Sequence, residues 1–472
     1  MENAGRETVR GVGATIRSAT RTSVDRYRAL GNAPDVRRLL AAAAGSYIGD
    51  RFNTIALIAL SFKLGDSALG VGGMLALMVL PRLLVQGMAG SLVDRYPGKR
   101  LLVLTQLAMA VVAGSFALLA VFPSLWLLYG LTLAMAIVRT VDMPAFEKRL
   151  MVLTPREQRG TANAVHMLAM TAGEIVGPLL GGIVLALAGT TPLFVINALT
   201  FMVLVRVTAS LPDRIAAAAP WTDPLSVATS VPVPGLGYRM LMRRSDVRLY
   251  VAMIAGTAVL ILGAIPLFIS RAHDLGLDDG AVGLFYATMG VGSLIGGMFA
   301  GAGTYLTRRS LAIAAVAGFV GALGLIGFGF AGNVPLALGG LIVFGLIADL
   351  EEVSALTYFQ HALPEAVFGR FFSLFLMATG AGGVIGSLGG PALAEVIGIG
   401  TALAVLAVPV LVVATIFGVR EGGLRLALPP FAPILEPEVV GHGLFGVPSQ
   451  SDLLPDGRAG GAMLTPRLHR LV

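Results

Sequence analysis

The chain has 472 residues, of which 56% are hydrophobic types and only 13% charged, with 61 glycines and a mean hydropathy of +0.83. Soluble domains carry about 25% charged residues, so a surface this poor in charge excludes a water-dispersed globule and requires contact with lipid. No cysteine is present, which excludes disulfides, iron–sulfur clusters and thiolate metal sites, and the net charge of +7 does not signal nucleic acid because the basic residues stand at the ends of apolar runs.

The first 36 residues are polar and Arg-rich, with Arg6, Arg10, Arg17, Arg21 and Arg28 on one helical face and Val9, Val12, Ile16 and Tyr27 on another. Three readings stay open for them: an interfacial helix on anionic lipid, a disordered stretch favoured by Gly11 and Gly13, or an organellar transit peptide. Apolar runs able to supply the about 20 residues that cross a bilayer then begin near Leu39, Ala68, Leu101, Leu125, Thr161, Pro192, Leu249, Gly280, Leu311, Val334, Phe371 and Ile397. The breaks fall at 63–66, 94–100, 123–124, 147–159, 189–192, 211–248, 271–279, 308–309, 332–333, 361–370 and 395–397. The expected fold is therefore an all-α membrane protein of twelve transmembrane helices, in two six-helix bundles. The expected segments are a basic cytoplasmic region over 1–36, a first bundle over 37–211, a Pro-rich cytoplasmic linker over 212–248, a second bundle over 249–420 and a disordered cytoplasmic tail over 421–472.

Lys and Arg set the expected orientation. Alternate breaks hold Arg95, Lys99 and Arg100; Lys148, Arg149, Arg156 and Arg159; Arg214, Arg239, Arg243, Arg244 and Arg248; Arg308 and Arg309; and Arg370. The intervening breaks hold only Lys63 and Arg271, which predicts both termini in the cytoplasm. The two halves also repeat one another. Gly173 and Gly177 recur as Gly382 and Gly386, a shift of 209 residues (382 minus 173), and the same shift carries Arg100 to Arg309, Pro155 to Pro364 and Gly160 to Gly369. Two similar halves in one orientation imply a pseudo-twofold axis along the membrane normal.

Two motifs carry more than packing. Between helices two and three stands Gly90-Ser-Leu-Val-Asp94-Arg95-Tyr-Pro-Gly-Lys99-Arg100, where Gly90 allows close helix approach, Asp94 can cap the next segment and the cations remain in water. In helix five, Gly173, Gly177, Gly181 and Gly182 make a smooth stripe that admits a neighbouring backbone, and Pro178 bends the helix. The first motif resembles the inner-loop pattern of the major facilitator superfamily, with Pro97 where the family has its second glycine. The second matches that superfamily's G-x-x-x-G-P-x-x-G-G signature, which marks its exporters and proton antiporters. Further phrases, Gly49 to Phe52, Leu80 to Leu84 and Gly130 to Ala145, resemble the branch of siderophore exporters and macrolide-efflux proteins. The resemblance implies that Asp94 serves as a conformational latch. The repeat puts Gly303 at that place in the second half, so a latch would be one-sided.

Charges inside the membrane are the candidate functional groups, because an ionised side chain at the bilayer centre costs on the order of 3 kcal/mol and so faces a cavity or a partner. Asp50 lies eleven residues into helix one and Arg51 is its neighbour; Arg82 or Arg139 could reach Asp50 from other helices. Arg139 and Asp142, three residues apart, can pair on helix four, Glu174 lies deep in helix five, and Asp349, Glu351 and Glu352 gather in helix ten, with Asp142 mapping onto Glu351. A proton relay and structural ion pairing are both open for this set. Tyr47, Phe52, Asn53, Tyr129 and Tyr286 could line a cavity, whereas His166 and His273 fall at helix ends without a specific role. No metal site, cofactor or phosphate-binding loop is expected, and no nucleophile–base set points to an enzyme. The expected function is proton-coupled export of small amphipathic molecules by a monomer in the plasma membrane, in contact with lipid. An importer, a lipid or lysolipid flippase and a non-transporting membrane sensor remain as alternatives.

Overall fold

The computed structural model describes residues 33–96, 98–155, 158–212, 236–302, 306–363 and 365–423. The expectations for residues 1–32, the greater part of the 212–248 linker, Pro97, Arg156, Gly303, Pro364 and the tail after 423 lie outside the described residues.

Among the described residues twelve long helices follow one another: α1 Pro34–Gly65, α2 Ala68–Arg95, α3 Gly98–Ala120, α4 Leu125–Leu153, α5 Arg159–Ala188, α6 Thr190–Ser210, α7 Ser245–Asp274, α8 Ala281–Ala302, α9 Leu306–Phe330, α10 Val334–Ala362, α11 Glu365–Ile397 and α12 Ile399–Gly423. A short amphipathic helix, Leu236–Arg243, precedes α7. Ten of the twelve are long and apolar enough on composition alone to cross a membrane. Of the other two, α1 is interrupted in its middle by Asp50, Arg51 and Asn53, and α2 runs from Ala68 to Arg95 with the apolar stretch Ala68–Pro81 at its start. Apolar side chains cover the outside, and no water is available there to the backbone, so each span satisfies its own N–H and C=O groups as a helix. The chain is a multi-pass membrane protein.

The repeat extends to the helix ends. Ser124 accepts from Leu127 N at the start of α4, and Asn333 accepts from Leu336 N at the start of α10, again 209 residues on (333 minus 124). The one-residue breaks between α5 and α6 and between α11 and α12 are made by Gly189 and Gly398, at φ 75° and 80°, related by the same shift. A left-handed residue between two helices needs glycine. The second break therefore falls at Gly398, just beyond the 395–397 expected from the sequence, because Glu395 and Val396 still extend α11.

Packing repeats as well. The pairs α1–α5, α1–α6, α2–α4, α3–α4 and α3–α6 recur as α7–α11, α7–α12, α8–α10, α9–α10 and α9–α12. The fold is thus two six-helix bundles related by a pseudo-twofold axis, joined along α5–α8 and α2–α11. We call the end carrying Arg95, Arg149 and Arg244 the basic end. There each bundle has its own core, one built from Val36, Leu102, Phe146 and Leu204 and the other from Tyr250, Phe359, Phe371 and Phe417. Towards the opposite end a single core unites the halves, with Phe52, Phe116 and Phe194 beside Phe268, Phe285 and Phe328. The bundles are therefore sealed together at the opposite end and have separate cores at the basic end.

Glycine permits that seal. A Cβ on Gly182 of α5 would stand 2.5 Å from Gly280 O and 3.0 Å from Gly283 Cα of α8, and Gly72 of α2 lies against the backbone of Ser387 on α11. The remaining glycines of the α5 stripe serve another neighbour. Gly173 and Gly177 sit against Tyr47, Ile48 and Arg51 of α1, and Gly181 against Phe52. Their repeat partners Gly382, Gly386 and Gly390 sit against Ala255, Val259 and Gly263 of α7.

Candidate functional site

The ionic groups converge on the first bundle, where α1 runs between α4 and α5. Asp50 and Arg51 are consecutive, so on a helix they point about 100° apart. Asp50 turns to α4 and pairs with the guanidinium of Arg139, while Arg51 turns to α5 and pairs with Glu174 at 2.7 Å. The two pairs differ in environment. The Asp50 side chain is 13% exposed, whereas Arg51 and Glu174 are 37% and 50% exposed.

The expected pairing of Arg139 with Asp142 along α4 gives way to contacts across helices. The Arg139 guanidinium reaches to Asp50, and the buried Asp142 carboxylate accepts from α3: Thr105 Oγ1 at 2.7 Å, and Gln106 Nε2 at 2.7 and 2.8 Å to its two oxygens. Three charge-assisted bonds replace the water that burial removes. Beside them lies a cavity of about 20 Å³ lined by Ser46, Tyr47, Asp50, Gln106, Arg139 and Asp142. That is room for a single water.

His166 proves to be tied into this region rather than idle at a helix end. Its side chain is 2% exposed; Nδ1 lies 3.1 Å from Glu147 Oε1, and Nε2 meets the Tyr47 hydroxyl. Phe146 packs on the imidazole with ring centres 4.9 Å apart. A histidine seven residues into a helix gives no sequence signal of a partner on α1, which explains why the contact was not legible.

The second bundle is built differently. The 209-residue shift carries Asp50 to Val259, Arg51 to Leu260, Arg139 to Ala348, Glu174 to Gly383, and Thr105 and Gln106 to Ala314 and Ala315. Of the ionic set only Asp142 keeps an acidic counterpart, Glu351, which is 2% exposed and receives Thr257 Oγ1 at 3.3 Å. Glu352 lies close enough to interact with both Glu351 and Asp349, while those two turn to different neighbours. Glu351 faces α7 and Gly318 of α9, whereas Asp349 faces α8, with Ser293 as hydrogen-bond partner and Gly297 beside it. Glu174 is close enough to act on Asp349 electrostatically across the α5–α8 seam.

At the basic end, lysines and arginines cap helix C-termini, where unpaired carbonyls accumulate negative charge. Lys99 Nζ donates to Leu211 O at 2.7 Å, Lys148 Nζ to Val93 O at 2.6 Å and Arg149 Nη2 to Pro212 O at 2.7 Å. Arg95 and Arg100 are exposed, and Gly90 and Asp94 lie in the last turns of α2. The side chains of Arg82 and Asp94 are outside the described part of the structure. Of the expected cavity-lining residues, Tyr47 lines the small cavity. Phe52 is core, Asn53 donates to Met135 Sδ at 3.6 Å, Tyr129 donates to Gly70 O at 2.9 Å, and Tyr286 packs edge-on against Phe268.

Comparison with known proteins adds a family to this geometry. The family model described as Major Facilitator Superfamily matches residues 39–387. Among curated relatives, the enterobactin exporter EntS of Shigella flexneri is 25% identical over 309 residues, covering 64% of this chain and 71% of its own length. The uncharacterized MFS-type transporter YfiS of Bacillus subtilis is 25% identical over 382 residues, covering 79% and 90%. Among solved structures, a bacterial homologue of the human lysosomal transporter Spinster, inward-facing and unoccupied, superposes with a TM-score of 0.61 at 14% identity, over 82% of this chain and 96% of the other. A bacterial homologue of the iron transporter ferroportin in an inward-facing state gives 0.58 at 18% identity, over 82% and 98%. At those identities the likeness is one of fold.

Proposed function

The chain belongs to the major facilitator superfamily and is a transporter rather than an enzyme, and from that premise we propose that it exports small amphipathic organic molecules in exchange for protons. The observation that carries the reading is the Asp50–Arg139 pair: an acid midway along α1, 13% exposed, tied to a cation on another helix and bordered by a small cavity that Tyr47, Gln106 and Asp142 also line. Protonating Asp50 cancels its attraction for Arg139 and frees the guanidinium, so proton binding biases any conformational change that moves α1 against α4. The repeat counterparts of Asp50 and Arg139 are Val259 and Ala348, so in this reading the first bundle is the proton-handling half.

Export is supported by the complete glycine–proline stripe of α5 and by the enterobactin exporters among its relatives. In this reading the basic end faces the cytoplasm, the protein lies in the plasma membrane as a monomer in contact with lipid, and the substrate enters between the bundles from the basic end. Arg51, Glu174 and Asp349 stand beside that path, Arg82 adds a cation from α2, and Gly90, Asp94, Arg95, Lys99 and Arg100 latch the cytoplasmic ends of the helices.

The test is a substrate panel, headed by enterobactin, in an efflux-deficient host expressing wild type, Asp50→Asn or Glu174→Gln. Wild type should lower cell-associated substrate, Asp50→Asn should abolish that effect and Glu174→Gln should weaken it. Collapsing the pH gradient should reproduce the Asp50→Asn result. If both variants match wild type and the gradient has no influence, proton coupling is wrong. Net accumulation by wild type in vesicles of known orientation would make it an importer.

A further inference from the structure

The cavity beside Asp50 is bounded on one side by Tyr47, and the Tyr47 hydroxyl leads away from it. That hydroxyl meets Nε2 of His166, and Nδ1 of the same ring lies 3.1 Å from Glu147. The chain of contacts starts at a nearly sealed site and ends at a carboxylate that is 43% exposed, less than two turns from the basic end of α4. We infer that Glu147, His166 and Tyr47 form a proton relay between the basic end and the cavity shared by Asp50 and Asp142. The inference rests on the reading of Asp50 as the proton carrier and adds the route by which the proton leaves.

Three features favour a relay over a merely structural contact. The His166 ring uses both nitrogens, one towards a carboxylate and the other towards a phenol, as a histidine that passes protons must. Burial of the ring against Phe146 keeps solvent from short-circuiting the path. The cavity can hold the last link: Gln106 Oε1 is buried and has no hydrogen-bond partner, so one water there would have acceptors on Gln106 and Asp50 and the Tyr47 hydroxyl beside it. The charged and titratable groups facing Tyr47 are Glu147, Asp142 and Arg139 of α4 and Asp50 of α1.

The proton count closes. With Nδ1–H donating to the Glu147 carboxylate, Nε2 accepts the Tyr47 hydroxyl proton. A proton leaving Asp50 protonates the cavity water, which passes a proton to the Tyr47 oxygen as Tyr47 gives its own to Nε2 and Nδ1 gives its proton to Glu147. Asp50 loses one proton, Glu147 gains one and releases it at the basic end, and the imidazole changes tautomer without net charge.

The experiment uses the purified full chain and protons as the probe. A pH jump is followed by infrared spectroscopy at the carboxylic-acid stretch, with the Asp50 contribution identified as the band lost in Asp50→Asn. Wild type should gain and lose that band quickly. His166→Gln and Tyr47→Phe should reach the same final amplitude about a hundredfold more slowly, the scale of a lost proton-transfer group. Free imidazole should restore the rate to His166→Gly. A merely structural histidine would alter amplitude or stability but not be rescued in rate. If the Asp50 band responds as fast in Tyr47→Phe, which keeps the ring, as in wild type, the relay is overturned while Asp50 stands as carrier. If no band is lost in Asp50→Asn, the Asp50 reading fails and the relay with it.

Discussion

Asp50 and Arg51 show how neighbouring residues on one helix can have unequal energetic weight. The Asp50 carboxylate, 13% exposed, is more withdrawn than Glu174 although its partner Arg139 is 41% exposed, so removing that cation costs more than removing Arg51. The Arg51–Glu174 pair is half open to solvent and contributes about 0–1 kcal/mol. Arg139→Ala should therefore lower the thermal midpoint of the purified protein far more than Arg51→Ala, and adding Asp50→Asn to Arg139→Ala should recover most of the loss. Equal effects of the two arginine substitutions would contradict this. Asp142 offers a second check: Gln106→Leu removes two bonds to a buried carboxylate and should destabilise by about 2–3 kcal/mol, with Gln106→Leu/Asp142→Asn closer to wild type. Charges in apolar runs were visible in the sequence, but of their partners only Arg139 was named, as one of two candidates for Asp50. The choice of Arg139 for Asp50, and of Thr105 and Gln106 for Asp142, depends on how three helices are rotated about their axes.

At the scale of the helix, glycine sets which elements touch. The stripe on α5 was legible as a packing surface, yet it serves two partners: Gly173 and Gly177 meet α1 within the bundle, and Gly182 meets α8 across the bundles. A methyl group on Gly182 would confront the Gly280 carbonyl, which is backbone and cannot move aside. Gly182→Ala should thus force α5 and α8 apart at the opposite end and impair transport. The natural chain has no cysteine, so spin labels at Leu187→Cys and Asp278→Cys report the seam without background. Their separation should lengthen and broaden in Gly182→Ala; an unchanged distribution would show that the seam tolerates the methyl. Gly181→Ala is the control, because its nearest neighbour would lie 3.4 Å away, an ordinary contact.

At the scale of the molecule, a duplicated frame carries an unduplicated ionic site. Helix starts, left-handed breaks and glycine contacts all recur at one shift, but Val259, Ala348 and Gly383 stand where the first half has Asp50, Arg139 and Glu174. The frame must repeat because both bundles have the same packing problem to solve in lipid, whereas the proposed proton switch requires one copy only. If the terminal segments are dispensable to that motion, a chain spanning residues 33–423 should export at close to the full rate. Loss of function on truncation with full activity in Asp50→Asn would instead support a sensor that acts through its ends.

The sequence alone determined the number of spans, their order and the duplication, because crossing a bilayer imposes about 20 apolar residues per helix and local breakers end each one. It did not determine which face each helix turns to its neighbours. That is decided by side-chain packing between segments more than 80 residues apart, as in Asp50 with Arg139 and Tyr47 with His166. Only the tertiary structure therefore separates a set of isolated intramembrane charges from an acid paired across helices beside a small cavity.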